Sequence, residues 1–194
     1  PLNFIYKNNI KNKLKLIGKF SKNLIQYLKN IKNIWEPLTN TTKGGYQTIG
    51  NLFNNSNDQI LTLEKIIKGE ILNFREKYKS ENNYLIKKWP TNSNLYGWHI
   101  KLVSKGFQRA HIHPAKWLSG VFYLKVPKNL KKNEGSIKFD ICGDDYPANE
   151  KFPHVFHSPK DYDLVLFPSS LFHRTIPFAS KGVRHSIAFD LVPK

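Results

Sequence analysis

His111-Ile112-His113-Pro114, closely followed by the strand-like run Leu118-Ser-Gly-Val-Phe-Tyr-Leu-Lys-Val126, decides how the chain is read. Two histidines one residue apart on an extended segment point to the same face, because side chains alternate with period two. Imidazoles so placed lie about 6–7 Å apart along the strand and can share one metal ion. A His-x-His pair by itself is more often a pair of surface histidines, so the rest of the chain must supply further donors.

It does. Sixty residues after His113 stands His173, in Asp163-Leu-Val-Leu-Phe-Pro-Ser-Ser-Leu-Phe-His173-Arg-Thr. After ten intervening residues comes Arg184-His185-Ser186, opening the run Ile187-Ala-Phe-Asp-Leu-Val192. This ordered set resembles the Fe(II)- and 2-oxoglutarate-dependent oxygenases, whose pattern is H-x-D/E, a long gap, a distal His and then R-x-S. It is most similar to a microbial and phage branch with H-x-H-P, S-G-V-x-Y-L and L-F-P-S-x-x-x-H segments. The resemblance covers roughly Lys43 to Pro193.

The resemblance implies a mostly β fold with flanking helices, the double-stranded β-helix (a cupin-like jelly roll). It implies Fe(II), 2-oxoglutarate and O2 as cofactor and cosubstrates, and hydroxylation of a substrate with release of succinate and CO2. His111 and His173 match the family's two ligand histidines. The carboxylate position is occupied by His113, which leaves the site one unit more positive. Asp140, in Lys138-Phe139-Asp140, is the alternative third ligand; His113 is preferred. Arg184 would hold the far carboxylate of 2-oxoglutarate through paired, charge-assisted hydrogen bonds. Ser186, two residues on and so on the same strand face, would add another. Tyr123 matches a tyrosine that reaches the same carboxylate in prolyl-hydroxylase-like members. His185 points the opposite way from Arg184 and reads as structural. The rival reading is a three-histidine cupin-type metalloprotein, thiol dioxygenase-like or an isomerase or binding protein, that does not use 2-oxoglutarate. Cupins commonly carry a Glu shortly after the histidine pair, where this chain has Trp117. A non-catalytic scaffold would need neither the histidines nor R-x-S.

Length and composition agree with a globular protein. The chain has 194 residues, 40% apolar and 13% aromatic, enough for one domain with an appendage and a substantial core. No apolar run approaches the ~20 residues that cross a bilayer. No signal peptide is read, and the single cysteine, Cys142, fits a reducing, cytoplasmic setting. The net charge of +17 invites a polyanion partner, but its carriers are overwhelmingly lysine. Nucleic-acid sites lean on arginine for its planar fork. A protein side chain or a small molecule is therefore favoured over nucleic acid as substrate.

Along the chain, Ile10, Leu14, Ile17, Phe20, Leu24, Leu28, Ile31 and Trp35 recur at helical spacing, with lysines on the other face and Gly18 as the only interruption. Residues 1–35 therefore read as a basic amphipathic helix, packed on the domain or on a second copy in a homodimer. The oxygenase-like domain would occupy 36–194. A polar, glycine-rich stretch around Gly44-Gly45 reads as a loop or short strand. A helix over about 58–79 is capped by Asn57 or Asp58, with Ile60, Leu63, Ile67, Ile71, Phe74 and Tyr78 in one stripe. From about 94 onward short β-type runs alternate with turns. They are expected at Tyr96–Val103, Arg109–His113, Gly120–Val126, Ser136–Ile141, Asp163–Phe167, Phe172–Pro177 and Arg184–Val192. Cys142–Lys160 reads as one long loop holding His154 and His157.

Overall fold

A computed structural model describes residues 1–194 apart from 16–18, 145 and 147–150. Ten strands and four helices follow in chain order: β1 (Tyr6–Asn9), α1 (Lys11–Lys15), α2 (Phe20–Leu28), β2 (Asn33–Trp35), β3 (Thr42–Thr48), α3 (Asp58–Lys77), α4 (Tyr84–Lys87), β4 (Ser93–His111), β5 (Leu118–Lys125), β6 (Ile137–Asp140), β7 (His154–His157), β8 (Asp163–Pro168), β9 (Phe172–Thr175) and β10 (Arg184–Pro193). The strands pair in the order β1-β8-β5-β10-β4-β9-β6-β7, with β3 added to β4 and β2 added to β3. This is the mostly β, curled architecture with flanking helices that the sequence implies.

Strand β4 joins the two halves. Its first part pairs with β10 from Ser93↔Pro193 to Leu102↔Arg184. Its last part pairs instead with β9, at Gln108↔Thr175 and His111↔His173. The expected strands Tyr96–Val103 and Arg109–His113 are thus one strand with a bend, and the bend lies at Lys105-Gly106. Lys105 takes a left-handed φ of 65°. Gly44 crosses here: a Cβ added to it would sit 2.7 Å from the Gly106 Cα, so glycine lets the two backbones meet.

Strand β10 lies between β4 and β5, and its two faces have different jobs. Ile187, Phe189 and Leu191 face the helices, sharing one core with Leu24 and Leu28 of α2 and Ile60, Leu63, Ile67 and Phe74 of α3. On the other face lie Arg184, Ser186, Ala188 and Asp190, all buried. A second core, with Val121, Tyr123, Phe139, Val165 and Phe167, packs inside the roll. Helix α3 begins where its cap was expected, the Asn57 side chain accepting from the Gln59 and Ile60 backbone N–H groups.

Three local readings need correction. Residues 1–35 are not one helix. Tyr6–Asn9 lies along the open edge of β8, and Asn33–Trp35 pairs with β3. Asparagines at 8, 9 and 33 are weak helix formers, whereas sheet edges offer these segments ladder partners. The helices between are Lys11–Lys15 and Phe20–Leu28; the helical reading of Ile17 and Gly18 lies outside the described residues. The apolar positions Ile10, Leu14, Phe20, Leu24 and Leu28 are buried in the main core. Second, Cys142–Lys160 is not all loop, because His154–His157 forms β7 against β6. Third, His113 lies just past the end of β4, in a turn where Ala115 has a φ of 60°. Strand alternation therefore does not explain its alignment with His111.

Candidate metal centre

His111 closes β4, His173 is on the adjacent β9, and the two are direct register partners. His113 reaches the same place from the turn, held by a hydrogen bond from its backbone N–H to the Ser169 carbonyl, 2.9 Å. One ring nitrogen from each of the three lies within 4.8 Å of the others. The rings pack on one another, His111 and His173 with centroids 4.2 Å apart.

The outer hydrogen bonds fix which nitrogens are free. His111 Nδ1 lies 2.7 Å from the Arg109 carbonyl and His173 Nδ1 lies 3.0 Å from the Leu171 carbonyl. A carbonyl only accepts, so each Nδ1 carries the proton and each Nε2 keeps its lone pair. His113 Nδ1 donates to Asp190 Oδ1 at 2.6 Å. Burial, followed by the neighbouring His113, pushes the His111 pKa down to about 4. His173 is held well below its ordinary value by burial and then by the other two rings. Imidazoles with Nδ1 occupied and Nε2 left free are the donor set a divalent transition metal requires. The residues present fit such an ion.

Asp140 is not brought to this cluster. It is on β6 opposite Phe172, one position from the Phe139–His173 pair. Its carboxylate is taken up by Lys138 Nζ at 2.7 Å and Arg174 Nε at 3.4 Å. His157 contacts Asp163 at 3.3 Å, and His154 is exposed. His185 faces away from the metal centre, as expected, and meets His99, Nε2 to Nδ1, at 3.0 Å.

Arg184 lines a small cavity together with His111, His113, His173 and Trp98. It is only 1% exposed, yet among the described residues no Asp or Glu pairs with it. Its Nη1 donates to the Gly135 carbonyl at 3.1 Å and to Thr175 Oγ1 at 3.5 Å, while Nε has no partner. Its guanidinium lies over the Tyr123 ring, 4.7 Å from the centroid. The Tyr123 hydroxyl is buried and also without a partner, and burial pushes its pKa up to about 12. Ser186 pairs in register with Tyr123, on the Arg184 face of β10. A buried cation lacking an anion, beside an unused phenol, is a cradle for a carboxylate. This fits the far end of 2-oxoglutarate.

A groove of about 560 Å³ runs from His111 and His113 past Trp98 and Tyr96 to the β2–β3 hairpin, with Asn40, Thr41 and Gln47 along its wall. This size is ordinary for a ligand site. Sequence reading missed two members of the centre: Asp190, and Ser169 behind His113. The signal for Asp190 was present, since it is the one acid in the otherwise apolar run Ile187–Val192, at an even offset from Arg184.

Residues 96–190 match the family described as "Putative 2OG-Fe(II) oxygenase". No curated protein matches the chain by sequence. Among solved structures it is similar to a prolyl-4-hydroxylase of Pseudomonas putida, with TM-score 0.66 and 11% identity over 98% of this chain and 92% of that one. It is also similar to the viral collagen prolyl hydroxylase of Paramecium bursaria Chlorella virus-1, solved with 2-oxoglutarate, at TM-score 0.61, 13% identity, and 98% and 97% coverage. HygX of Streptomyces hygroscopicus, solved with nickel and 2-oxoglutarate, gives TM-score 0.61 and 11% identity over 98% and 83%. At such identities these likenesses establish the fold.

Proposed function

We propose, from the match of residues 96–190 to the 2OG-Fe(II) oxygenase family, that this protein is a 2-oxoglutarate-dependent hydroxylase whose metal is held by His111, His113 and His173. The carrying observation is the pairing, in one cavity, of three converging imidazoles with a buried arginine that lacks an acid partner. When bound, Fe(II) with 2-oxoglutarate and O2 supplies C–H oxidation, with release of succinate and CO2.

The chain's own part is binding, orientation and exclusion of water. The Arg109 and Leu171 carbonyls and the Asp190 carboxylate hold the three rings in the tautomer that presents Nε2. Arg184, with Tyr123 and Ser186, takes the far carboxylate of the cosubstrate and sets its distance from the histidines. Phe139 and Phe167, whose rings pack against His173, keep that side dry. The substrate approaches along the groove beside Trp98. Apart from Lys116, and Asp190 behind His113, that wall is uncharged and offers hydrogen-bonding groups, which favours a protein side chain or a small polar molecule over a polyanion.

The test is anaerobic titration of the full chain with Fe(II) and then 2-oxoglutarate, followed in visible light. A weak charge-transfer band that needs both is expected, together with succinate release once oxygen is admitted. His111→Ala should abolish the band. Tight Fe(II) binding with neither band nor succinate would instead favour the three-histidine cupin-type reading.

A further inference from the structure

The three histidines are not equivalent. His111 and His173 each donate Nδ1–H to a neutral backbone carbonyl. His113 donates to a carboxylate, Asp190 Oδ1, at 2.6 Å. It is also the residue standing where the family pattern has Asp or Glu. Asp190 is 3% exposed, and among the described residues its only ion-pair partner is His113.

We propose that Asp190 is a positioning residue for the metal, locking His113 in place and returning to it the negative charge that H-x-H removes. The inference rests on His113 being a ligand, as argued above. In an H-x-D site the charge touches the metal directly; here it is one imidazole ring farther back. Hydrogen bonding of a ligand histidine to a carboxylate raises the basicity of its free nitrogen. Asp190 is itself fixed. Ser119 Oγ lies 2.6 Å from the same Oδ1 and 2.9 Å from Ser169 Oγ. A hydroxyl has one proton, and the charged oxygen is its stronger acceptor. Ser119 therefore directs its proton to Asp190, with the Ser169 hydroxyl close beside it, all three being buried. Ser169 also holds the His113 backbone, so β5, β10 and the β8–β9 turn converge on one ring.

The experiment measures binding of Fe(II), anaerobically, and of Co(II), whose visible bands report the ligand field, with each metal alone. Asp190→Asn keeps the shape and an acceptor oxygen but removes the charge. It is expected to weaken Fe(II) binding about 10- to 100-fold and to shift the Co(II) bands. Asp190→Glu, which keeps the charge but misplaces it, should recover part of the loss and also covers the case in which Asp190→Asn does not fold. The decisive comparison is made in a His113→Asp background. There a carboxylate is supplied directly, and Asp190→Asn should cost less than about twofold or tighten binding, because it relieves like-charge repulsion. Unchanged affinity of Asp190→Asn in the wild-type background would overturn the proposal, as would equal losses in both backgrounds, which would make Asp190 a packing residue. His113→Ala separates the two levels: if it binds metal as wild type does, the ligand assignment itself has failed.

Discussion

Arg184 sets function against stability at a single residue. A guanidinium buried without an anion is costly, and the hydrogen bonds of this one go to the Gly135 and Thr175 oxygens. Arg184→Met is expected to lose cosubstrate affinity by about 30- to 5000-fold, the equivalent of roughly 2–5 kcal/mol. The same substitution should leave the stability of the ligand-free protein unchanged or raise it by up to about 2 kcal/mol. Arg184→Lys restores charge but not the fork, so it should rescue only part of the affinity. Isothermal binding of 2-oxoglutarate and urea unfolding of the metal-free protein measure the two halves. A variant that is badly destabilised yet binds 2-oxoglutarate normally would refute the assigned role. Arg184, His111 and His173 could be picked out in the sequence because residue type and spacing both carry information there. Asp190 could not be assigned a partner, because its meaning depends on a ring 77 positions earlier in the chain.

Among the elements, α3 carries a second polar feature within an apolar face. Glu70 is fully buried and accepts from Tyr6 Oη at 2.8 Å, Asn8 Nδ2 at 2.9 Å and Lys13 Nζ at 2.5 Å. Burial alone would raise its pKa, but the bonds from Lys13, Asn8 and Tyr6 together outweigh that and hold it below the ordinary value. This one carboxylate therefore ties β1 and α1 to the long helix. Glu70→Gln keeps the size but not the charge, and should cost roughly 1–3 kcal/mol in urea unfolding. Proteolysis should then begin ahead of α2, and a variant as stable and as resistant as wild type would show that the clasp is idle. Helix α3 was legible from its apolar period and its Asn57 cap. Strands β1, β2 and β7 were not, because three- and four-residue edge strands take their identity from a neighbour's open ladder rather than from their own pattern. Glu70 shows the same limit, since an acid inside an apolar stripe signals a buried partner without naming it.

For the molecule as a whole, acid is the expected weakness. His99 and His185, on the neighbouring strands β4 and β10, stack with ring centroids 5.2 Å apart. Burial, then His185 and Lys101, pushes His99 down to about 3; burial, then Lys101, Lys125 and Lys29, pushes His185 down to about 4. Unfolded, both return to about 6.5. Between those values the unfolded chain binds more protons than the folded one, so stability is complete above pH 6.5 and falls as pH drops toward 4. Each histidine contributes a slope of up to about 1.4 kcal/mol per pH unit. Urea midpoints of the metal-free protein from pH 7.5 to 4.5 measure it; a flat profile would contradict the burial of these rings. A double substitution, His99→Leu with His185→Leu, should reduce the slope and leave the part that the buried His111 and His173 contribute.

The two faces of β10 also bear on how such a protein can change over generations. That strand spells the core and the chemistry in alternating letters, so an inserted residue would turn both inside out at once. The β2–β3 hairpin, which walls the groove, attaches to the rest of the sheet through β4 alone. Its turn can lengthen, shorten or swap side chains while the strand behind it stays as it is. Under the proposed function, choice of substrate is thereby free to wander across descendants of this chain, whereas the proposed reaction is inherited intact or lost.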